Sequence, residues 1–272
     1  MLLPRVLTSL VGIPAVLFLV YLGGLPFLAF VLALTVLSSR EYVLMLWAGG
    51  RGIQRWNTVL GALLLACAVA FSGPVLSRSQ APGGGLSSLA LSLVFAGIFL
   101  REVLRREHSL DRAALSMMGV LFIGWPLGHL SLLRELPGAG RAWTLLLFAA
   151  VWAADSAAYF VGSAFGRRRM APVLSPKKSW EGALAGTAAA VLTLWLGGRG
   201  MIGAGPAACL GLITGVVSQL SDVAQSMVKR SCGVKDSSGL LPGHGGVFDR
   251  MDSFLLLSPV FYYFVVLLGK NS

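Results

Sequence analysis

From Val6 to Leu268 this chain is one apolar stretch after another, joined by short polar links. A helix crosses a bilayer with about 17 to 25 such residues. Nine segments approach or reach that length: Val6–Leu22, Leu25–Trp47, Trp56–Leu76, Leu86–Leu104, Ala114–Leu133, Trp143–Phe165, Trp180–Leu196, Pro206–Val228 and Phe254–Leu268. Links such as Gly23-Gly24 and Pro82–Gly85 separate them. Only 12% of the residues are charged, against about 25% in a soluble domain. The expected fold is all-α, a polytopic integral membrane protein with nine transmembrane helices. No room is left for a separate soluble domain, so residues 1–272 read as a single membrane domain. Residues 1–140 would supply scaffold and lipid-facing helices, and residues 141–272 carry the polar motifs.

Charge orients these spans. A net charge of +11 and a pI near 10.3 would point a soluble protein toward nucleic acid. Here basic loops obeying the positive-inside rule account for it, and no nucleic-acid partner is expected. With the N-terminus cytoplasmic, that side receives Arg5, Arg40, Arg51, Arg55, Arg101, Arg105, Arg106, Arg112, Arg167, Arg168, Arg169, Lys177, Lys178, Lys229, Arg230, Lys235 and Arg250. The other side receives only Arg78, Arg134, Arg141, Arg199 and Lys270. The C-terminus then lies outside, and the loops after the sixth and eighth spans share the cytoplasmic face. The expected location is an inner (plasma) membrane, multi-pass and surrounded by membrane lipids. No small-residue cleavage site follows the first segment, which reads as a retained helix. Cys67, Cys209 and Cys232 are isolated, which indicates neither a disulfide framework nor a zinc site.

The chemistry concentrates between Gln219 and Ser253. At about 100° per residue, Asp222, Ser226 and Lys229 share a helical face with Gly215, Ser218 and Gln219, while the other faces are apolar. An aspartate there costs about 2.5 to 3.5 kcal/mol in lipid, so it must face protein, water or a cation. From Lys235 to Gly246 the helix cannot continue, because Gly239, Pro242, Gly243, Gly245 and Gly246 interrupt it. A glycine-rich loop lets backbone N–H groups approach phosphate oxygens, with Lys and Arg as countercharge. Asp249, Arg250 and Asp252 lead directly into the last span. Asp222 by itself is equally a structural partner for a neighbouring Lys or Arg. Together with Asp249 it forms a pair of carboxylates suited to Mg²⁺, with one or two cations accommodated. His244, set between Gly243 and Gly245-Gly246, is a metal ligand, a leaving-group acid or a hydrogen-bonded loop residue, and its glycine setting favours substrate contact.

A second constellation runs from Asp155 to Gly182. Asp155, Tyr159, Gly162 and Gly166 share a face, and Gly162/Gly166 is a small-xxx-small pair that permits close helix packing, as is Gly211/Gly215. Asp155 reads either as a site carboxylate or as a partner for Lys178 or Arg250. Arg167, Arg168 and Arg169 read as topology and headgroup attraction. Lys177, Lys178, Lys229, Arg230, Lys235 and Arg250 exceed what orientation needs. Trp47, Trp56, Trp125, Trp143 and Trp180 read as interfacial anchors.

The run Ser226, Lys229, Arg230, Lys235, Asp236, Pro242, His244, Gly245, Gly246, Asp249, Arg250, Asp252 resembles the signature of the phosphatidate cytidylyltransferase (CDP-diacylglycerol synthase) family. The elements around Asp155 to Gly166 and Ser175 to Gly182 are similar to that family as well. The N-terminal half matches loosely, through Arg5, the Gly23-Gly24 turn and Arg40-Glu41. The resemblance implies transfer of CMP from CTP to phosphatidate, with Asp222, Asp249, Lys229 and His244 catalytic. Substrate would be held by Lys177, Lys178, Ser226, Arg230, Lys235, Asp236, Gly245, Gly246, Arg250, Asp252, Asp155 and Ser175. A homodimer is implied too. In one departure, Ser221 precedes Asp222 where the family usually has Gly. Two other readings stay open. A CTP-dependent polyprenol- or phytol-type lipid kinase would move the γ-phosphoryl group, and the complete ending Gly245 to Asp252 argues against it. A cation-coupled transporter would show inverted repeats, and none is visible.

Overall fold

The computed structural model describes residues 3–73, 85–240, 243 and 245–269. Arg78, Pro82, Pro242, His244 and Lys270 lie outside the described residues. The helices are α1 (Leu3–Leu22), α2 (Gly24–Ala48), α3 (Arg55–Ala70), α4 (Gly85–Val103), α5 (Leu110–Gly119), α6 (Trp125–Arg134), α7 (Gly140–Phe165), α8 (Trp180–Ile202), α9 (Ala204–Ser231), α10 (Val247–Arg250) and α11 (Phe254–Gly269). A π-helical turn, Val120–Gly124, joins α5 to α6 in one rod. Among the described residues five helical stretches are long and apolar enough to cross a membrane: α2, α4, α5 to α6, α7 and α9. Shorter apolar runs occupy α1, α3 and α11. In α8, Gly, Ala and Thr stand where larger apolar residues would raise the hydropathy, and it falls outside both groups.

The all-α class expected from the sequence holds, with one small addition outside the helices. β1 (Arg169–Ala171) and β2 (Ser175–Ser179) form an antiparallel hairpin. Pro172 and Pro176 explain why this stretch is not helical, since proline lacks the N–H a helix interior requires.

The chain divides into two compact units. The first comprises Met1–Arg141 together with Ser231–Met251, so the glycine-rich loop belongs with the N-terminal helices. Its core is built on α2, α3 and α6, with Val31, Tyr42, Leu65, Leu127 and Leu133 buried. Glu102 of α4 is held there by an ion pair with Arg112 and by Gln54 Nε2 at 2.8 Å. Such a buried charge is tolerated only when its hydrogen-bonding capacity is filled.

The second unit comprises Ala142–Arg230 and Asp252–Ser272. Helices α8 and α9 approach closely at Gly211 and Gly215: a Cβ on Gly215 would lie 2.5 Å from Thr187 Cα, and one on Gly211 would collide with the Val191 backbone. Gln219 Nε2 ties the pair by donating to Ala183 O at 2.9 Å. Phe148 packs on Phe254 and Trp143 on Phe261. Trp143 is thus a core residue, 3% exposed, and not the expected interfacial anchor; Trp47, Trp56 and Trp180 are exposed.

Candidate active site

In the second unit, Ser179 caps α8 by accepting a hydrogen bond from Gly182 N at 3.2 Å. Glu181, one residue into that helix, accepts from Arg167 N at 3.1 Å and Arg168 N at 3.2 Å, which fixes the approach to β1. The hairpin presents Lys177 exposed and Lys178 half-buried. Lys178 Nζ stands 2.6 Å from Asp222 Oδ2 on α9, and Ser226 Oγ lies 3.4 Å from Asp222 Oδ1. The inward polar stripe expected on α9 is present, with Gly215, Ser218 and Ser226 buried. Lys229 and Arg230 occupy the last turn of that helix, where its dipole favours cations. Arg230 Nε also lies 3.4 Å from Leu174 O, just before Ser175.

Lys178, Ser179 and Asp222 border a cavity of about 590 Å³, whose lining does not include Ser226, Lys229 or Arg230. Its wall includes Asp155, Asp222 and Asp252 together with Lys177, Lys178 and Gln219. The unexpected Ser221 helps to place Asp252. Its hydroxyl donates to Asp252 O and accepts from Leu256 N at 3.1 Å, so the serine joins α9 to the start of α11 where a glycine could not.

In the first unit the loop is built around two carboxylates. Asp249 is buried, and its Oδ2 accepts from Ser237 N at 2.8 Å, Ser237 Oγ at 2.9 Å and Gly246 N at 2.9 Å. The other is Glu41 of α2, also buried. Glu41 Oε1 accepts from Ser238 Oγ at 2.7 Å and Val247 N at 3.1 Å. Glu41 Oε2 accepts from Ser237 Oγ at 2.9 Å and Phe248 N at 2.8 Å. A Cβ at Gly246 would collide with Ser237 Oγ and the Glu41 carboxylate and would force both to shift. Gly245, at φ +78°, takes a conformation that side chains resist. Lys235, Asp236 and Arg250 are exposed, and His244 lies outside the described residues.

The N–H groups of Ser237 and Gly246, which the glycine pattern made candidates for phosphate, face these carboxylates, as do those of Val247 and Phe248 just after the loop. Glu41 was missed as a site residue. The available signal was an acid inside an apolar span, which is a functional marker by default.

Asp222 and Asp249, expected as a metal pair, belong to different units. Among the described residues no three His, Cys, Asp or Glu side chains form a metal cage. Mg²⁺ needs fewer, since it is usually held by one or two carboxylates with water and substrate phosphates. Asp222, on a cavity wall with two further carboxylates, has that character.

A profile of the cytidylyltransferase family matches residues 3–268. The chain belongs to this family. It is 38% identical to the phosphatidate cytidylyltransferase of Pseudomonas aeruginosa, with 96% of each chain covered. The same-named protein of Synechocystis is 34% identical over 97% of this chain and 96% of its own. That of Bacillus subtilis is 30% identical over 97% of both. The cytidylyltransferase likeness therefore holds in both halves, including the N-terminal one where the motifs matched only loosely. Glu41 lies inside the matched stretch.

Proposed function

We propose that this protein transfers the CMP moiety of CTP to phosphatidate, giving CDP-diacylglycerol and pyrophosphate. The match to the cytidylyltransferase family over residues 3–268 carries the reading. The cavity bordered by Lys177, Lys178, Asp222 and Asp252 supports it. A phosphatidate monoester is largely dianionic at neutral pH, so its oxygen attacks the α-phosphorus of CTP without a strong base. One P–O bond forms there while the α–β bridging bond breaks, and its electron pair leaves with pyrophosphate. The chain's task is to bring two anions together and hold them, which is positioning and electrostatics. Lys177, Lys178, Lys229, Arg230, Lys235 and Arg250 are proposed to neutralise phosphates.

Asp222 is the proposed carboxylate for Mg²⁺, and the all-oxygen character of Asp155, Asp222 and Asp252 fits that hard cation. Bound there, Mg²⁺ would supply Lewis-acid stabilisation of the departing pyrophosphate. Asp249, whose Oδ2 accepts from the Ser237 and Gly246 N–H groups and shares the single Ser237 hydroxyl proton with Glu41, is proposed to act first through the shape of its loop. His244 is proposed as a substrate contact, as are Ser175, Ser226, Asp236, Gly245 and Gly246. Nine spans with a cytoplasmic N-terminus in the inner membrane, a cytoplasm-facing site, entry of phosphatidate from the inner leaflet and a homodimer complete the proposal.

The test is a detergent-micelle assay with phosphatidate, Mg²⁺ and CTP labelled at the α or the γ phosphate. Label from the α position is expected in lipid, with pyrophosphate released. Transfer of the γ label would make the protein a CTP-dependent lipid kinase instead.

A further inference from the structure

We infer that Glu41 is a positioning residue: from α2 its buried carboxylate holds Ser237, Ser238, Val247 and Phe248 in the arrangement that the reaction uses. The inference rests on the proposed nucleotidyl transfer. A carboxylate 3% exposed within a membrane-type helix is costly unless its capacity is filled. Here it is filled from one short segment. Two hydroxyls, Ser237 and Ser238, and two backbone N–H groups, Val247 and Phe248, converge on its two oxygens. Among the described residues no ion pair involves Glu41. Its charge is therefore committed to neutral donors of the loop, and those donors lie on both sides of the glycine cluster.

The residues just after α2 also meet the chain just ahead of the loop. Arg51 NH2 lies 3.4 Å from Ser231 O, and a Cβ on Gly49 would lie 3.0 Å from Cys232 Cα. The Tyr42 and Phe248 rings are 6.2 Å apart. Glu41 and Asp249 also share Ser237, whose hydroxyl lies 2.9 Å from each. The loop that carries Lys235, Asp236 and Gly245 is thus clamped from the N-terminal half, where the motif likeness is loose. Such a clamp sets where the loop's side chains stand and touches no reacting atom.

The experiment measures hydrogen exchange and turnover on the same purified, Mg²⁺-supplied full-length protein in micelles. Glu41→Gln places an amide NH₂ where an acceptor oxygen is needed. Exchange at the Ser237, Ser238 and Gly246–Phe248 amides is expected to quicken at least about tenfold while α3 is unchanged. The kcat is expected to fall at least about tenfold, with KM for CTP shifting less than about threefold, as for an interaction realised at the transition state. Glu41→Asp, which restores the acceptor, recovers part of the turnover. Wild-type loop exchange or wild-type kcat in folded Glu41→Gln overturns the inference. If that variant does not fold, the Ser237→Ala/Ser238→Ala protein is read instead: faster loop exchange with lower kcat supports the clamp, and wild-type values overturn it. Absence of α-label transfer by the wild type would defeat the functional reading, while the exchange data still decide whether Glu41 holds the loop.

Discussion

Each unit carries carboxylates in its motif-bearing region, and the two regions satisfy them differently. Around the glycine-rich loop, Glu41 and Asp249 are buried and accept from hydroxyls and backbone N–H groups at 2.7 to 3.1 Å. On the cavity wall, Asp222 is partly exposed and paired with the ammonium of Lys178. Backbone donors are fixed by the fold, so a carboxylate that takes them defines a shape and does not readily change partner. A lysine swings on a flexible stem and can give way to another cation. The first arrangement suits a scaffold for a loop. The second suits a place where a metal or a phosphate enters.

The comparison breaks most directly at Asp222. Asp222→Asn keeps the volume and removes the charge, so α-label transfer is expected to fall at least about a hundredfold, in the range of a lost electrostatic group at a reacting centre. Normal turnover in folded Asp222→Asn would sink the metal assignment. On the loop side, Gly246→Ala pushes a methyl group into Ser237 and Glu41. Overpacking of this kind costs about 1 to 3 kcal/mol, which a thermal-inactivation series in detergent would register.

Lys178→Met sharpens the contrast. If the ammonium is the exchangeable partner, its removal lowers turnover by about tenfold, equivalent to about 1.4 kcal/mol. It also reduces the Mg²⁺ concentration needed for half-maximal activity; an unchanged Mg²⁺ requirement would argue that lysine and metal do not compete. The smallest effect is expected from Ser221→Gly, which restores the family's usual residue and removes the bridge to Asp252 O and Leu256 N. A loss of about 1 kcal/mol in stability, with kcat within about twofold, is the expected result.

Much of the cavity side was legible beforehand. Asp222, Ser226 and Lys229 could be placed on one face because helical periodicity is a local property, and Lys178 was known to stand near the start of a span. The hairpin at residues 169–179 was not anticipated. Its strands are short, and the basic run suggested topology before it suggested a fold. Trp143 was read as an anchor because composition cannot tell a membrane interface from a packed core. Ser221 looked like a departure from pattern until its bridge to α11 gave it a task.

The apolar segments, the inward polar stripe of α9 and the break at the glycine-rich loop were determined by the sequence itself. Length, period and glycine content act over a few residues and need no partner. The tertiary structure alone decided that the loop belongs with the N-terminal unit, and that Glu41 is one of its holders. The hydrogen bonds that settle this join residues 196 to 207 positions apart. At that separation no periodicity or spacing survives to be read, and only the folded chain brings the carboxylate to its donors.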